Sequence, residues 1–174
     1  MKKNVIATLF LVIILGSFTS VFSVNDIGNT IETAKDKINK NNFKGAVKDL
    51  NIAIAEMPNN AEAYYYRAVA NFNLRKNDEA ITDLEIAIAI DHKQAKYYYM
   101  KAIAHADQDE FKKAYREMIK AVDLDNNNAD YYLLRAEIEL ELNYMTDAIQ
   151  DWEKAASLGS VKAKDYLKIY SKEA

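Results

Sequence analysis

The residues best suited to proton chemistry are two histidines, His92 and His105. Imidazole titrates near neutral pH, so a histidine beside a carboxylate can act as a general base. His105 has Asp109 one helical turn further along the chain. A hydrolase built on His105 and nearby acids is therefore the catalytic reading of this sequence. Little else supports it. The chain has no cysteine, which removes thiolate nucleophiles, thiolate metal sites and disulfides together. It has no Gly-x-Ser-x-Gly elbow, no glycine-rich phosphate loop and no histidine pair at metal-binding spacing. Asp123, Asp125 and Asn127 have the spacing that opens a calcium loop. Asn128 stands where that loop's turn needs glycine, however, and Leu134 where it needs a closing glutamate. A lone histidine near acids is more often a packed polar residue than a catalyst. No catalytic, cofactor-binding or metal-binding residue is assigned, and no enzymatic activity is expected.

Composition narrows the elements that carry these residues. The 174 residues contain one proline, Pro58, and four glycines. So few chain breakers favour an all-helical fold. Net charge is −3. Residues 1–23 hold Lys2 and Lys3 and no acid, which leaves −5 for the remainder, 21 bases against 26 acids. An acidic body without a basic stripe argues against nucleic acid as a partner, because phosphate neutralisation dominates such affinity.

Residues 1–23 read as a targeting element. Met1-Lys2-Lys3 is a short basic start, Val5 to Gly16 is an uncharged apolar run, and a more polar stretch follows. This is the layout of a secretory signal peptide, with a cut after Ser23 and a mature start near Val24. The alternative is an uncleaved membrane anchor, since Val5 to Val24 is long enough to cross a hydrocarbon core of about 30 Å. Either reading places the rest of the chain outside the cytoplasm, periplasmic, secreted or anchored facing outward.

That remainder repeats. Aligned without gaps, 27–60, 61–94, 95–128 and 129–162 put alanine in three fixed slots. These are Ala34, Ala68, Ala102 and Ala136; then Ala46, Ala80, Ala114 and Ala148; then Ala53, Ala87, Ala121 and Ala155. Two antiparallel helices joined by a tight turn can nest closely where neither carries bulk. Bulky slots recur between them: Tyr64, Tyr98 and Tyr132 in the first half, and Leu50, Leu84, Met118 and Trp152 in the second. First helices are expected near 27–40, 61–74, 95–108 and 129–142. Second helices are expected near 43–57, 77–90, 111–124 and 145–158. Asparagines punctuate the turns, where they can cap helix starts, and Asn59 followed by Glu62 fits a capping box. The fourth unit closes by residue 159, and 160–174 reads as an extra helix that covers the last apolar face.

This pattern resembles the tetratricopeptide repeat (TPR): an aromatic, a small residue, then alanine, a bulky residue, alanine and a closing turn. It departs from that family where His92, Asn126 and Ser160 replace the turn proline, where Lys37, Asn71, His105 and Glu139 occupy a slot often aromatic, and where Thr30 leaves the first repeat weak. The resemblance implies an all-α, right-handed solenoid of four helical hairpins: 27–60, 61–94, 95–128 and 129–159, with a capping helix over 160–174.

The resemblance also implies a concave groove lined by first helices. The slots carried over are Ile31, Tyr65, Tyr99 and Leu133; Lys35, Val69, Ile103 and Glu137; and Ile38, Phe72, Ala106 and Leu140. The partner-binding set drawn from them and their rim is Tyr65, Val69, Phe72, Lys96, Tyr99, Ile103, Leu133 and Leu140, with Asp107, Asp130 and Glu141 as further rim charges. The bland alternative is that these side chains pack on the neighbouring repeat. The tyrosine runs 64–66, 97–99 and 131–132 cannot form one flat platform, because successive helical residues point about 100° apart. Some family members grip a partner's C-terminal carboxylate from slots that here hold Ile31, Lys35, Tyr66, Lys96 and Met100, and only Lys96 suits that task. A carboxylate clamp for chaperone tails is not expected. The reading is an exported adaptor that binds a peptide or helix of another protein. Self-association through the same groove, giving a homodimer, is its structural rival.

Overall fold

A computed structural model describes residues 24–170. The signal-peptide assignment and the last four residues of the capping-helix assignment lie outside them. Nine helices make up the described residues. They are α1 Val24–Asn39, α2 Phe43–Glu56, α3 Ala61–Asn73, α4 Asn77–Ile90, α5 Ala95–Ala106, α6 Phe111–Leu124, α7 Ala129–Glu141, α8 Met145–Ser157 and α9 Val161–Tyr170. None of them is long and apolar enough to cross a membrane. Each packs on the next, so α1–α2, α3–α4, α5–α6 and α7–α8 form four stacked hairpins.

The alanine code has the cause the sequence suggested. All twelve repeated alanines are at most 1% exposed. Leu50, Leu84, Met118 and Trp152, the bulky slot of the second helices, are the largest side chains withdrawn completely from solvent. Burying such a side chain contributes about 2–3 kcal/mol each. Trp152 is covered by α9, whose Tyr166 and Tyr170 rings lie 5.1 and 5.2 Å from it. The last helix thus seals the indole that a fifth hairpin would otherwise cover.

The turns repeat as faithfully as the helices. Asn41, Arg75, Asp109 and Asn143 all have positive φ, between 57° and 63°. The following residue then donates its N–H to the carbonyl five residues back, as in Asn42 to Lys37 and Lys76 to Asn71. This is a Schellman closure, which turns the chain sharply and satisfies end carbonyls. Asn42, Asn60, Asn128 and Ser160 cap the helices that follow, accepting from Gly45, Ala63, Asp130 and Ala163 backbone N–H groups. The cap of α3 is therefore Asn60 and not Asn59, one residue later than the capping-box reading, because α3 begins at Ala61. Where the turn proline is missing, tyrosine stiffens the turn. Tyr98 donates its hydroxyl hydrogen to the His92 carbonyl and Tyr132 to the Asn126 carbonyl, each at 3.2 Å.

A concave tyrosine groove and two outer clefts

The curvature follows from which helices touch. First helices of successive repeats pack directly on each other, α1 on α3 and α3 on α5, while second helices contact mainly the first helices beside them. The first helices therefore lie on the inner, shorter arc, and their free faces form the concave surface.

The sequence-derived set lies on these first helices. Tyr65, Val69, Phe72, Lys96, Tyr99, Ile103, Leu133 and Leu140 are all half-buried, neither core nor free. The reason is a contact that recurs with the repeat. Tyr65 leans on Tyr97 of the next first helix, ring centroids 5.1 Å apart, and Tyr99 leans on Tyr131 at 4.9 Å. One edge of each ring is held by the adjacent repeat, and each tyrosine remains partly exposed. Burial pushes the Tyr65 and Tyr97 phenols up to about 12. Both therefore stay neutral hydrogen-bond donors at any physiological pH. Neighbouring rings in a run also meet. Tyr66 lies edge-on to Tyr65 at 5.1 Å, so the surface is a faceted cluster rather than a platform. Lys96 sits over it, its ammonium 5.0, 5.9 and 5.6 Å from the Tyr65, Tyr66 and Tyr97 rings.

Three expectations need correction. Ile31 is 4% exposed and belongs to the core of the first hairpin, not to the groove. Asp107 is not a free rim charge. It accepts from Arg75 at 3.0 Å and from Asn77 at 2.7 Å, which ties one hairpin turn to the preceding one. Those bonds, Asn77 first, hold its carboxyl below the usual range. His105 pairs with Glu110, Nδ1 to Oε2 at 2.7 Å, and not with Asp109. Helix α5 ends at Ala106, so Asp109 lies in the left-handed turn and the chain returns with Glu110 facing the ring.

Of the five slots that matter for a carboxylate clamp, Ile31 and Met100 are buried, and Lys35 is engaged by Glu32 at 2.7 Å and Glu62 at 3.7 Å. The glutamate bond raises the Lys35 ammonium further above its ordinary value.

Two clefts lie between second helices of successive hairpins. One of about 650 Å³ runs between α4 and α6, floored by Lys101 and His105. Another of about 640 Å³ runs between α2 and α4, floored by Arg67 and Asn71. A charge ladder runs through these clefts and on to the fourth hairpin. Arg67 meets Asp83, Lys101 meets Glu117, and Arg135 meets Asp151. Every partner recurs at the repeat period, so this ladder was present in the alignment. It was missed because the charged slots differ in residue type, lysine for arginine and glutamate for aspartate. Lys113 and then His105 hold the Glu110 carboxyl below its ordinary range, so the cleft between α4 and α6 keeps an ionised acid against the imidazole.

Comparison with curated proteins finds no match. Solved structures share the fold. MamA from Desulfovibrio magneticus RS-1, from residue 41 to its end, superposes with a TM-score of 0.70 at 21% identity, over 78% of this chain and 76% of that one. A thermophilic TPR protein of Thermus thermophilus gives 0.72 at 16% identity, over 83% and 81%. The first TPR of Spaghetti (RPAP3), bound to the HSP90 peptide SRMEEVD, gives 0.67 at 19% identity, over 70% and 96%. The Tetratricopeptide repeat profile matches residues 31–95 and 99–160, and with those segments spanning most of its length the chain belongs to the tetratricopeptide repeat family.

Proposed function

We propose that this chain is an exported scaffold that holds a peptide or helix of a partner protein in its concave groove, by surface complementarity and without chemistry. The observation that carries this reading is the half-burial of all eight groove residues. Stacking holds one edge of Tyr65 and of Tyr99 against the next repeat, and the set as a whole keeps part of its surface free. An apolar, aromatic strip with a charged rim is the usual form of a peptide-binding surface. The RPAP3 domain, of the same fold, was solved with a bound peptide, which supports the binding mode but not the ligand. Export rests on residues 1–23 alone, through their basic start and apolar run.

A photo-crosslinking amino acid placed at Phe72 or Tyr99 in cells tests the groove against the outer face. A partner that crosslinks at those positions and not at Thr82, on the outer cleft, is expected. Crosslinking at Thr82 alone would move the interaction to the outer clefts. Export is tested by the N-terminus of the chain recovered outside the cytoplasm, expected at Val24. The catalytic rival has one observation in its favour, that His105 lines the cleft between α4 and α6 with Glu110. A defined hydrolytic activity lost in His105→Ala with the fold intact would establish it.

A further inference from the structure

Charges on the inner face follow a rule that the two ends obey and the middle breaks. At each step between repeats, one slot of a first helix comes opposite an early slot of the next. Three pairs share one offset, Lys35 with Glu62, Val69 with Lys96 and Ile103 with Asp130; at the last step Glu137 meets Lys162, two residues before the matching slot. The outer two are ion pairs, Lys35 to Glu62 at 3.7 Å and Lys162 to Glu137 at 2.6 Å. In the middle two, valine and isoleucine stand where the counter-charge would be. Lys96 and Asp130 consequently have no oppositely charged partner among the described residues. They are one repeat apart, opposite in sign, and each accompanies one of the two tyrosine pairs. Lys96 lies over Tyr65 and Tyr97. Asp130 is close enough to Tyr99 and Tyr131 that, after burial, its charge helps to raise both phenols.

Unpaired charges of opposite sign on a half-dry aromatic surface define a direction. We propose, building on the groove reading above, that the groove recognises a protein segment of fixed polarity. That segment sets an acidic side chain against Lys96 and the Tyr65–Tyr97 pair, and a basic one against Asp130 and the Tyr99–Tyr131 pair. The carboxylate gains the Lys96 ammonium and neighbouring phenol donors. The cation gains the Asp130 carboxylate and the face of Tyr99, a cation–π arrangement. Adjacent packed helices lie about 10 Å apart. That distance corresponds to about three residues of an extended segment or about seven of a helix. A segment that is acidic at both positions would set like charges together at Asp130, so the site discriminates by repulsion as well as attraction.

Synthetic peptides of one composition and two orders, acid-then-base and base-then-acid at both spacings, test this by fluorescence anisotropy with the purified protein. One order is expected to bind at least about tenfold more tightly, which corresponds to about 1.4 kcal/mol. The double reversal Lys96→Asp with Asp130→Lys is expected to prefer the opposite order. Should the reversal disturb the fold, Ile103→Lys supplies Asp130 with an internal partner in the manner of Lys35 and Glu62, and is expected to abolish the preference. Equal binding of both orders, an unchanged preference in the reversed protein, or equal affinity for a doubly acidic peptide would overturn the proposal. So would light scattering that shows a dimer lost on either single reversal, since the charges would then serve a second copy. Peptides that bind without order but are lost in Tyr65→Ala/Phe72→Ala/Tyr99→Ala would sink the polarity and leave the groove. No binding by any of them would count against both.

Discussion

Arg67 and Asp83 face each other across the second hairpin through two hydrogen bonds, Nε to Oδ2 at 2.9 Å and Nη2 to Oδ1 at 2.6 Å, with Asp83 4% exposed. Asn71 adds a third bond to the same carboxylate at 3.3 Å. Arg135 and Asp151 reproduce the fork in the fourth hairpin at 2.6 and 2.8 Å. In the first hairpin Thr33 occupies the basic slot, and Lys37, one turn on, reaches Asp49 instead. Each hairpin therefore locks its two helices by alanine contacts inside and by one charge pair at the outer seam. The slot that departs from the family's aromatic habit, Lys37, Asn71, His105 and Glu139, lies along that seam. Its polarity belongs to the ladder.

Removing one member of such a fork leaves the other charge poorly solvated. Arg67→Ala is expected to lower stability by about 3 kcal/mol, read as a shift of the urea midpoint at constant slope. Asp83→Ala, which removes the more buried carboxylate, leaves Arg67 able to turn to solvent or to Asn51, which it already contacts at 2.8 Å. The aspartate variant is expected to cost less. A larger loss in Asp83→Ala would contradict this account of the seam.

Arg75 sits in the left-handed region at φ 62°, where a side chain costs about 1 kcal/mol and glycine costs nothing. Its ion pair with Asp107 at 3.0 Å is exposed and worth little. Arg75→Gly is expected to stabilise the array by about 0.5–1 kcal/mol despite losing that pair. A lower melting temperature in the variant would mean that the turn-to-turn tie of Asp107 outweighs backbone strain.

How much of this was legible beforehand depends on whether one residue type or a pair carried the signal. Hairpin number, order and spacing came from alanines, whose single property, smallness, is visible in each residue alone. The groove set came from the same register, and its eight members lie half-buried on first helices. Ile31 failed because, in the first hairpin, this slot packs with Ala34, Ala46 and Leu50 in the core. The His105 partner failed because a left-handed turn residue intervenes. The charge ladder and the unpaired Lys96 and Asp130 were invisible slot by slot. The ladder becomes visible only when two slots of one hairpin are compared, and the unpaired charges only when slots of successive hairpins are.

Glu139 is 2% exposed, and its Oε2 has no hydrogen-bond partner. Burial first, and then the Asp151 charge, push its carboxyl up to about 8, against 4.5 when free. Because the folded value is raised, the stability it contributes is complete below about pH 4.5 and is lost as pH rises through 8. Unfolding free energy should therefore fall across that window. Glu139→Gln should remove that part of the slope, match the parent near pH 4, and exceed it at pH 9 by on the order of 2 kcal/mol. Parallel pH profiles for parent and variant would show the carboxylate to be solvated after all.

The groove itself makes the sharpest demand on half-buried residues, because a side chain can be half-buried for folding or for binding. Tyr65 and Tyr99 each rest one edge on the next repeat, so truncation forfeits an aromatic contact worth about 1 kcal/mol and part of the ring's burial. Tyr64, in contrast, is 8% exposed and belongs to the hairpin core, where truncation of a large aromatic costs about 3–5 kcal/mol. Tyr65→Ala, Phe72→Ala and Tyr99→Ala together are expected to keep full helicity by circular dichroism at 25 °C while peptide affinity falls at least about a hundredfold, as for the anchor residues of an interface. Tyr64→Ala is expected to lower the unfolding midpoint strongly while folded protein retains its affinity. Should the triple variant lose helicity and Tyr64→Ala keep it, the inner rings would be the core of this solenoid and the docking surface would have to lie elsewhere.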